Sequence, residues 1–157
     1  MKYIKADLHL HSTWSDGSMR IPRIVKLAKS IGLDAISITD HDTMANMREA
    51  AAEGERQDLR VLPGVEISAF NPDTKRKIHI LGYLVKDAQT LTDACKPYLR
   101  ARHRANILAL ERVRAAGYPI DADDVSLYIG EGGILHRQHV MHALADRGYA
   151  PAIYGEL

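Results

Sequence analysis

At 157 residues, 46% of them hydrophobic, the chain is long enough for one ordinary globular core. A charged fraction of 26% and a net charge of +1 exclude any argument from overall charge for nucleic-acid or membrane binding, so such a claim has to rest on local patches. The single cysteine, Cys95, excludes an internal disulfide framework and suits a reducing compartment. The opening MKYIKADLHLH carries Lys2, Lys5 and Asp7 in place of the apolar stretch of a signal peptide, and no run approaches the roughly 18 apolar residues of a membrane span, so the expectation is a cytoplasmic protein that does not meet a membrane.

Tyr3 to His11 alternates polar and apolar residues and runs into Ser12-Thr13, which predicts a strand entering a loop. Pro22 suits a first helical turn; Ile24, Leu27, Ala28 and Ile31 recur at helical spacing, and Gly32 supplies a stop. Ala35 to Thr39 is a short β-rich run followed by the charged loop Asp40-His41-Asp42, and a second helix is expected from Met44 to Gln57. Arg60 to Ile67 reads as a strand interrupted by Pro63-Gly64, and Ile78 to Val85 as the next. Strand, helix, strand, helix, strand is the rhythm of parallel βαβ units, in which chemistry gathers at the C-terminal ends of strands. After residue 86 the pattern turns helical. Thr90 to Ala116 places Leu99, His103, Ile107, Leu110 and Val113 on one face, with Pro97 expected to mark a break or restart. Gly117-Tyr118-Pro119 is a turn, and two short helices are expected at Asp121 to Leu127 and Gln138 to Asp146, separated by the Gly130–Gly133 loop. The expected organisation is an α/β part over residues 1–85 and a helical insert or cap over 86–149.

Asp7-Leu8-His9-Leu10-His11 puts two imidazoles at i and i+2, on one side of a strand, where one metal ion can take both nitrogens; alone, the pair could equally be a surface accident. Asp16-Gly17 is by itself an ordinary turn signal. Asp40-His41-Asp42 stacks three ionisable groups in one loop, although Asp42 could simply cap the next helix. Glu66 lies in the apolar run Pro63-Gly64-Val65-Glu66-Ile67, where an unpartnered carboxylate is costly and calls for a cation or a donor. His79, in Lys77-Ile78-His79-Ile80-Leu81-Gly82, taken alone reads more readily as a satisfied core histidine. Taken together, these imidazoles and carboxylates all fall at strand ends within about 80 residues, and mixed N/O ligands of this kind suit Zn, Mn or Fe. Several such ions close together activate water and clamp the oxygens of a phosphate.

These stretches resemble the PHP (polymerase and histidinol phosphatase) family. DLHLHSTWSDGS looks like its first motif, ITDHDTM its second, LPGVEIS its third, and KIHILGY the segment that supplies a further histidine. Within the family the sequence is most similar to the metal-dependent phosphoesterases, which include enzymes acting on nucleoside 3′,5′-bisphosphates and on the 5′ ends of short RNA. The resemblance implies an α/β fold, the N-terminal part of a distorted (β/α)7 barrel plus a helical insert, with two to three divalent metal ions. It implies His9 and His11 on one metal, Glu66 bridging two, Asp16 and His41 on another, and His79 completing the second. In the insert it implies an R-x-H element on the substrate phosphate, here Arg137-Gln138-His139; a planar guanidinium fork suits phosphate oxygens, although Arg137 could also be an ordinary surface arginine. The family's later histidine and final D-x-H motif have no counterpart before Leu157, so residues 150–157 are expected to begin a return to the barrel, and the chain to represent about half of the domain.

The implied activity is hydrolysis of a phosphomonoester of a nucleotide 3′,5′-bisphosphate or a short oligoribonucleotide through a metal-bound hydroxide, with Glu66, Arg137 and His139 as the catalytic set. Two alternatives stand beside it: a metal-binding but catalytically incomplete module, and a phosphatase for a small non-nucleotide metabolite. The partners implied are a small phosphate ester or short RNA, and the remaining half of the domain or another copy of the chain. The basic stretch Lys96, Arg100, Arg102, Arg104, Arg112 and Arg114, offset only by Glu111, is a solvated helix face or a surface that steers a nucleotide; Tyr98 and Tyr118 are the nearest stacking candidates.

Overall fold

The computed structural model describes residues 3–153; of the expected barrel return at 150–157, residues 154–157 lie outside the described residues. One four-stranded sheet is ordered β1 (Ala6–Leu10), β2 (Ala35–Ile38), β3 (Arg60–Asn71), β4 (Arg76–Tyr83). The first three strands are parallel, linked by α1 (Ile21–Ser30) and α2 (Met47–Arg56), as the βαβ rhythm requires. The fourth is antiparallel to the third. The chain is thus a mixed α/β half-barrel with added helices.

α1 buries Ile21, Ile24, Val25 and Ala28 against Ile36, Ile38, Ala50 and Leu59. The expected stripe was out of phase by part of a turn: Leu27 and Ile31 are exposed, because the helix begins at Ile21 and its inward face centres on Ile24 and Val25. α2 starts at Met47 rather than Met44, since Asn46 turns its amide inward to Asp40 instead of extending the helix.

β3 is not interrupted at Pro63-Gly64. Its parallel pairing with β2 ends at Pro63 and its antiparallel pairing with β4 begins at Gly64, so the missing proline N–H falls where the strand changes partner. The Pro63 carbonyl is still used, accepting from Leu84 N–H at 2.9 Å. Glu66 therefore sits mid-strand and does not close the strand as expected. The sheet curls enough for the Tyr83 hydroxyl on β4 to donate to the Leu8 carbonyl on β1 at 2.8 Å, so the two outer strands approach one another.

Beyond the sheet, α3 (Ala88–Ala115) runs unbroken for 28 residues with Pro97 inside it. The Asp93 carbonyl that Pro97 cannot engage lies on an exposed turn, where water can take it. Of the expected apolar face of α3, only Leu110 is buried. It joins Ile120, Val125, Leu135, Val140, Ala143 and Leu144 in a second core with α4 (Ala122–Ser126) and α5 (Arg137–Asp146). Gly130 ties this second core to the sheet: its N–H donates to the Thr13 carbonyl at 2.8 Å, and a Cβ there would lie 2.6 Å from Thr13 Oγ1.

Candidate metal centre

The expected ligands arrive from four strands. His9 is on β1 and His11 follows it; His41 follows β2; Glu66 is on β3 and His79 on β4. Backbone pairing sets their register. His41 and Glu66 form an isolated parallel bridge, in which Asp42 N–H donates to the Glu66 carbonyl at 2.9 Å and Glu66 N–H to the Asp40 carbonyl at 3.3 Å. On the hairpin, His79 pairs with Ser68, two residues beyond Glu66, so His79 and Glu66 are diagonal neighbours on one face.

Glu66 is the hub. Its Oε2 lies 2.8 Å from His9 Nε2, 2.9 Å from His11 Nε2 and 3.8 Å from His41 Nδ1, while its Oε1 lies 2.5 Å from His79 Nδ1. Asp16 approaches His11 Nδ1 at 3.4 Å and His41 Nε2 at 3.6 Å. Gly17 permits this turn, since a Cβ there would stand 2.2 Å from the His11 carbonyl oxygen. Three overlapping groups result: His9, His11 and Glu66; His11, Asp16 and His41; His41, Glu66 and His79.

The donor set fits divalent cations. Two ligands about 2.1 Å from one ion at right-angled to tetrahedral geometry stand roughly 3.0–3.4 Å apart, close to most of these separations. His41 Nδ1 is buried without a hydrogen-bond partner, a costly state that a cation would relieve. The carboxyls behave accordingly. Burial alone would push Asp16 up, but its hydrogen bond from His41 and the imidazoles of His41, His11 and His136 hold it far below the usual range. Burial likewise opposes ionisation of Glu66, and His9, His41, His11 and His79 reverse it. Burial holds His11 down as the neutral imidazole a metal needs; in His41 burial is outweighed by Asp16, which raises it.

Asp40 and Asp42 are not a solvated turn. Both are buried. Asp40 accepts from Ser12 N–H at 2.7 Å, Ser12 Oγ–H and Ser15 Oγ–H each at 2.6 Å, and Asn46 Nδ2, stitching the His11–Asp16 loop to the His41 loop. Asp42 does not cap α2. With φ at 59°, a left-handed conformation Asp tolerates better than most residues, it accepts from Ser68 N–H at 2.7 Å and Ser68 Oγ–H at 2.8 Å, and pairs with Arg102 at 3.3 Å.

An open cavity of about 520 Å³ faces this centre, lined by Asp16, His41 and His79 on one side and by Tyr98, Arg102, Asn106, His136, Arg137 and Gln138 on the other, with Lys77 at its rim. Arg137 lines the cavity. His139 does not: it is fully buried behind, its Nδ1 accepting from the His136 N–H at 3.2 Å. At about 100° per residue, positions i and i+2 of a helix point some 200° apart, so Arg137 and His139 at the start of α5 cannot face one cavity. Sequence reasoning missed His136, stacked on His41 with ring centroids 6.2 Å apart and pushed down to about 3 by burial and the Arg102 charge. It also left Arg102 undistinguished among the basic residues; its contacts with Ser68 and Asp42, 34 and 60 positions away, single it out. Tyr118 packs on Tyr149 in the second core, away from the cavity.

Comparison with known proteins places the chain in a family. Residues 7–117 match the model of the PHP domain. The chain is 37% identical over 153 residues to a phosphoribosyl 1,2-cyclic phosphate 1,2-diphosphodiesterase of Eggerthella lenta, covering 96% of this chain and 58% of that protein. It is 33% identical over 147 residues to the 5′-3′ exoribonuclease Rnm of Salmonella typhimurium, covering 92% and 49%. Among solved structures, a protein assigned as a metal-dependent phosphoesterase from Bifidobacterium adolescentis superposes with a TM-score of 0.82 at 28% identity, over 97% of this chain and 53% of that one. The chain spans about half the length of the curated relatives it matches. No helix among the described residues is long and apolar enough to cross a membrane. A half-barrel whose strands and following loops gather imidazoles around one glutamate, matched by that domain model over residues 7–117, places this chain in the PHP family.

Proposed function

We propose that this chain carries the N-terminal part of a phosphoric ester hydrolase site, acting on a phosphomonoester of a nucleotide 3′,5′-bisphosphate or a short oligoribonucleotide. The observation that carries the reading is Glu66, which has one oxygen against His9 and His11 and the other against His79, and so can belong to two ligand groups at once. Two or three Zn, Mn or Fe ions would be held by His9, His11 and Glu66, by Asp16 with His11 and His41, and by His79 with Glu66 and His41. When bound, such ions supply a water of lowered pKa and neutralise charge that builds on phosphoryl oxygens.

The chain's own residues supply the rest. Arg137 and Lys77 border the cavity as cations able to bind and orient phosphate oxygens facing the centre. Neutral His136 shields the outer face of His41 from solvent. Names of relatives that act on a cyclic phosphate and on RNA support the phosphate-ester class and leave the nucleotide assignment as our own reading.

Metal analysis of the purified protein together with assays on adenosine 3′,5′-bisphosphate, a short 5′-phosphorylated oligoribonucleotide and ribose 5-phosphate tests this reading. Bound metal and preferential release of phosphate from the first two is the expected result. Bound metal without turnover of any ester would replace it with the metal-binding module, and preference for ribose 5-phosphate with a sugar-phosphate phosphatase.

A further inference from the structure

One face of α3 turns toward the cavity with a strict helical spacing: Tyr98, Ala101, Arg102, Ala105 and Asn106, at i, i+3, i+4, i+7 and i+8. This face shares the cavity with Asp16, His41 and His79 of the metal centre. Tyr98 is the only Phe, Tyr or Trp among the cavity-lining residues. Tyr98 is 45% exposed, and Ala101 and Ala105 line the cavity on the same helix face.

The ring is fixed in place. The Arg102 guanidinium lies over one face at 5.0 Å from the centroid and donates to the Tyr98 hydroxyl at 3.2 Å. Arg102 is in turn held by Ser68 Oγ at 2.7 Å and by the buried Asp42 carboxylate at 3.3 Å. Asp42 is the immediate neighbour of His41, so the aromatic wall and the metal-binding loop are braced through one chain of contacts. An aromatic ring fixed relative to a phosphate-processing centre, with a cation on one face, is the arrangement that stacks a nucleobase. A sugar phosphate has no planar group for such a wall. Gln138, also lining the cavity, offers an amide donor and acceptor suited to the edge of a base.

We infer that Tyr98, braced by Arg102, stacks the nucleobase of the substrate and selects nucleotides over baseless phosphate esters. This rests on the proposed phosphoesterase reading and specifies its substrate side. The Arg102 brace is a positioning element, and Tyr98 is the specificity-determining contact.

Binding calorimetry and turnover assays, run on the metal-loaded protein with adenosine 3′,5′-bisphosphate and with its abasic analogue 1-deoxyribose 3,5-bisphosphate, test the inference. Wild type binds the nucleotide more tightly than the analogue. Tyr98→Ala weakens nucleotide binding about tenfold and analogue binding far less, whereas Tyr98→Phe, which keeps the ring, retains the discrimination. Equal affinity of wild type for the two ligands, or equal weakening of both by Tyr98→Ala, overturns it. Base-dependent binding that Tyr98→Ala removes, with no phosphate released, would sustain the stacking wall and defeat only the hydrolytic reading.

Discussion

The two walls of the cavity are built by opposite means. On the sheet side, imidazoles and carboxylates are placed by backbone register: one parallel bridge sets His41 against Glu66, and one hairpin pairing sets His79 beside it. On the helical side, long side chains project from α3 and the start of α5, which stand on a separate core. His103 Nδ1 accepts from the Leu135 N–H at 3.1 Å and Asn106 donates to the Leu135 carbonyl at 2.8 Å, so α3 grips both polar groups of the residue that precedes His136 and Arg137. Metal ligation tolerates displacements of a few tenths of an ångström, and strand pairing provides that precision. Recognition of an anion tolerates more, and flexible cations on a helix suffice. A metal-centred phosphoesterase can therefore keep its sheet rim and vary its substrate through the helices.

The largest effect separating the walls is expected at Glu66. Glu66→Ala removes a carboxylate common to two ligand groups, so metal content by elemental analysis should fall and turnover should drop by at least about a hundredfold, beyond the usual effect of losing a supporting partner of a ligand. Chelation should reproduce the loss in wild type. Full metal occupancy in the variant would mean that the two groups containing Glu66 hold their ions without it.

Next in size is the contact that joins the walls. Arg102→Leu leaves Asp42, 1% exposed in its side chain, as an uncompensated buried charge, and should destabilise by about 3 kcal/mol in urea unfolding. Asp42→Asn combined with Arg102→Leu should recover part of that loss. An unchanged midpoint for the single variant would show the walls to be independent. Asp40→Ala acts within the sheet wall alone. It strips partners from Ser12, Ser15 and Asn46, and should cost about 2 kcal/mol, visible as a drop of several degrees in Tm.

The same contrast explains what could be read before the structure. The candidate donors were legible because most lie in short motifs at or beside a strand, and strand order follows from the alternation of strands and helices. β3 ran on past Pro63-Gly64 because a proline is harmless where a strand exchanges one neighbour for another, and local sequence does not say where that happens. The helical wall was nearly illegible. Arg102 differs from Arg100 and Arg104 only in which way the helix faces, and that depends on contacts with Asp42 and Ser68 some thirty to sixty positions away. The buried roles of Asp40 and Asp42 were not legible, because their partners Ser12 and Ser68 come from stretches distant in sequence.

The smallest expected effects divide the R-x-H element itself. Arg137 opens on the cavity, and Arg137→Ala should raise KM for a phosphate ester about tenfold, the usual magnitude for losing one charge-assisted hydrogen bond. His139 is fully buried beside the Ser15–Asp16 stretch, on a helix that also buries Val140, Ala143 and Leu144, and burial pushes its imidazole down toward the neutral form. Its substitution should be felt in stability and not in substrate affinity: His139→Leu should shift Tm while KM changes by less than about twofold, since an apolar side chain of similar volume replaces a buried group whose Nε2 has no partner. A tenfold rise in KM for His139→Leu at unchanged Tm would mean that the start of α5 rotates when substrate binds, bringing His139 to the cavity, and that the helical wall is mobile where the sheet wall is fixed.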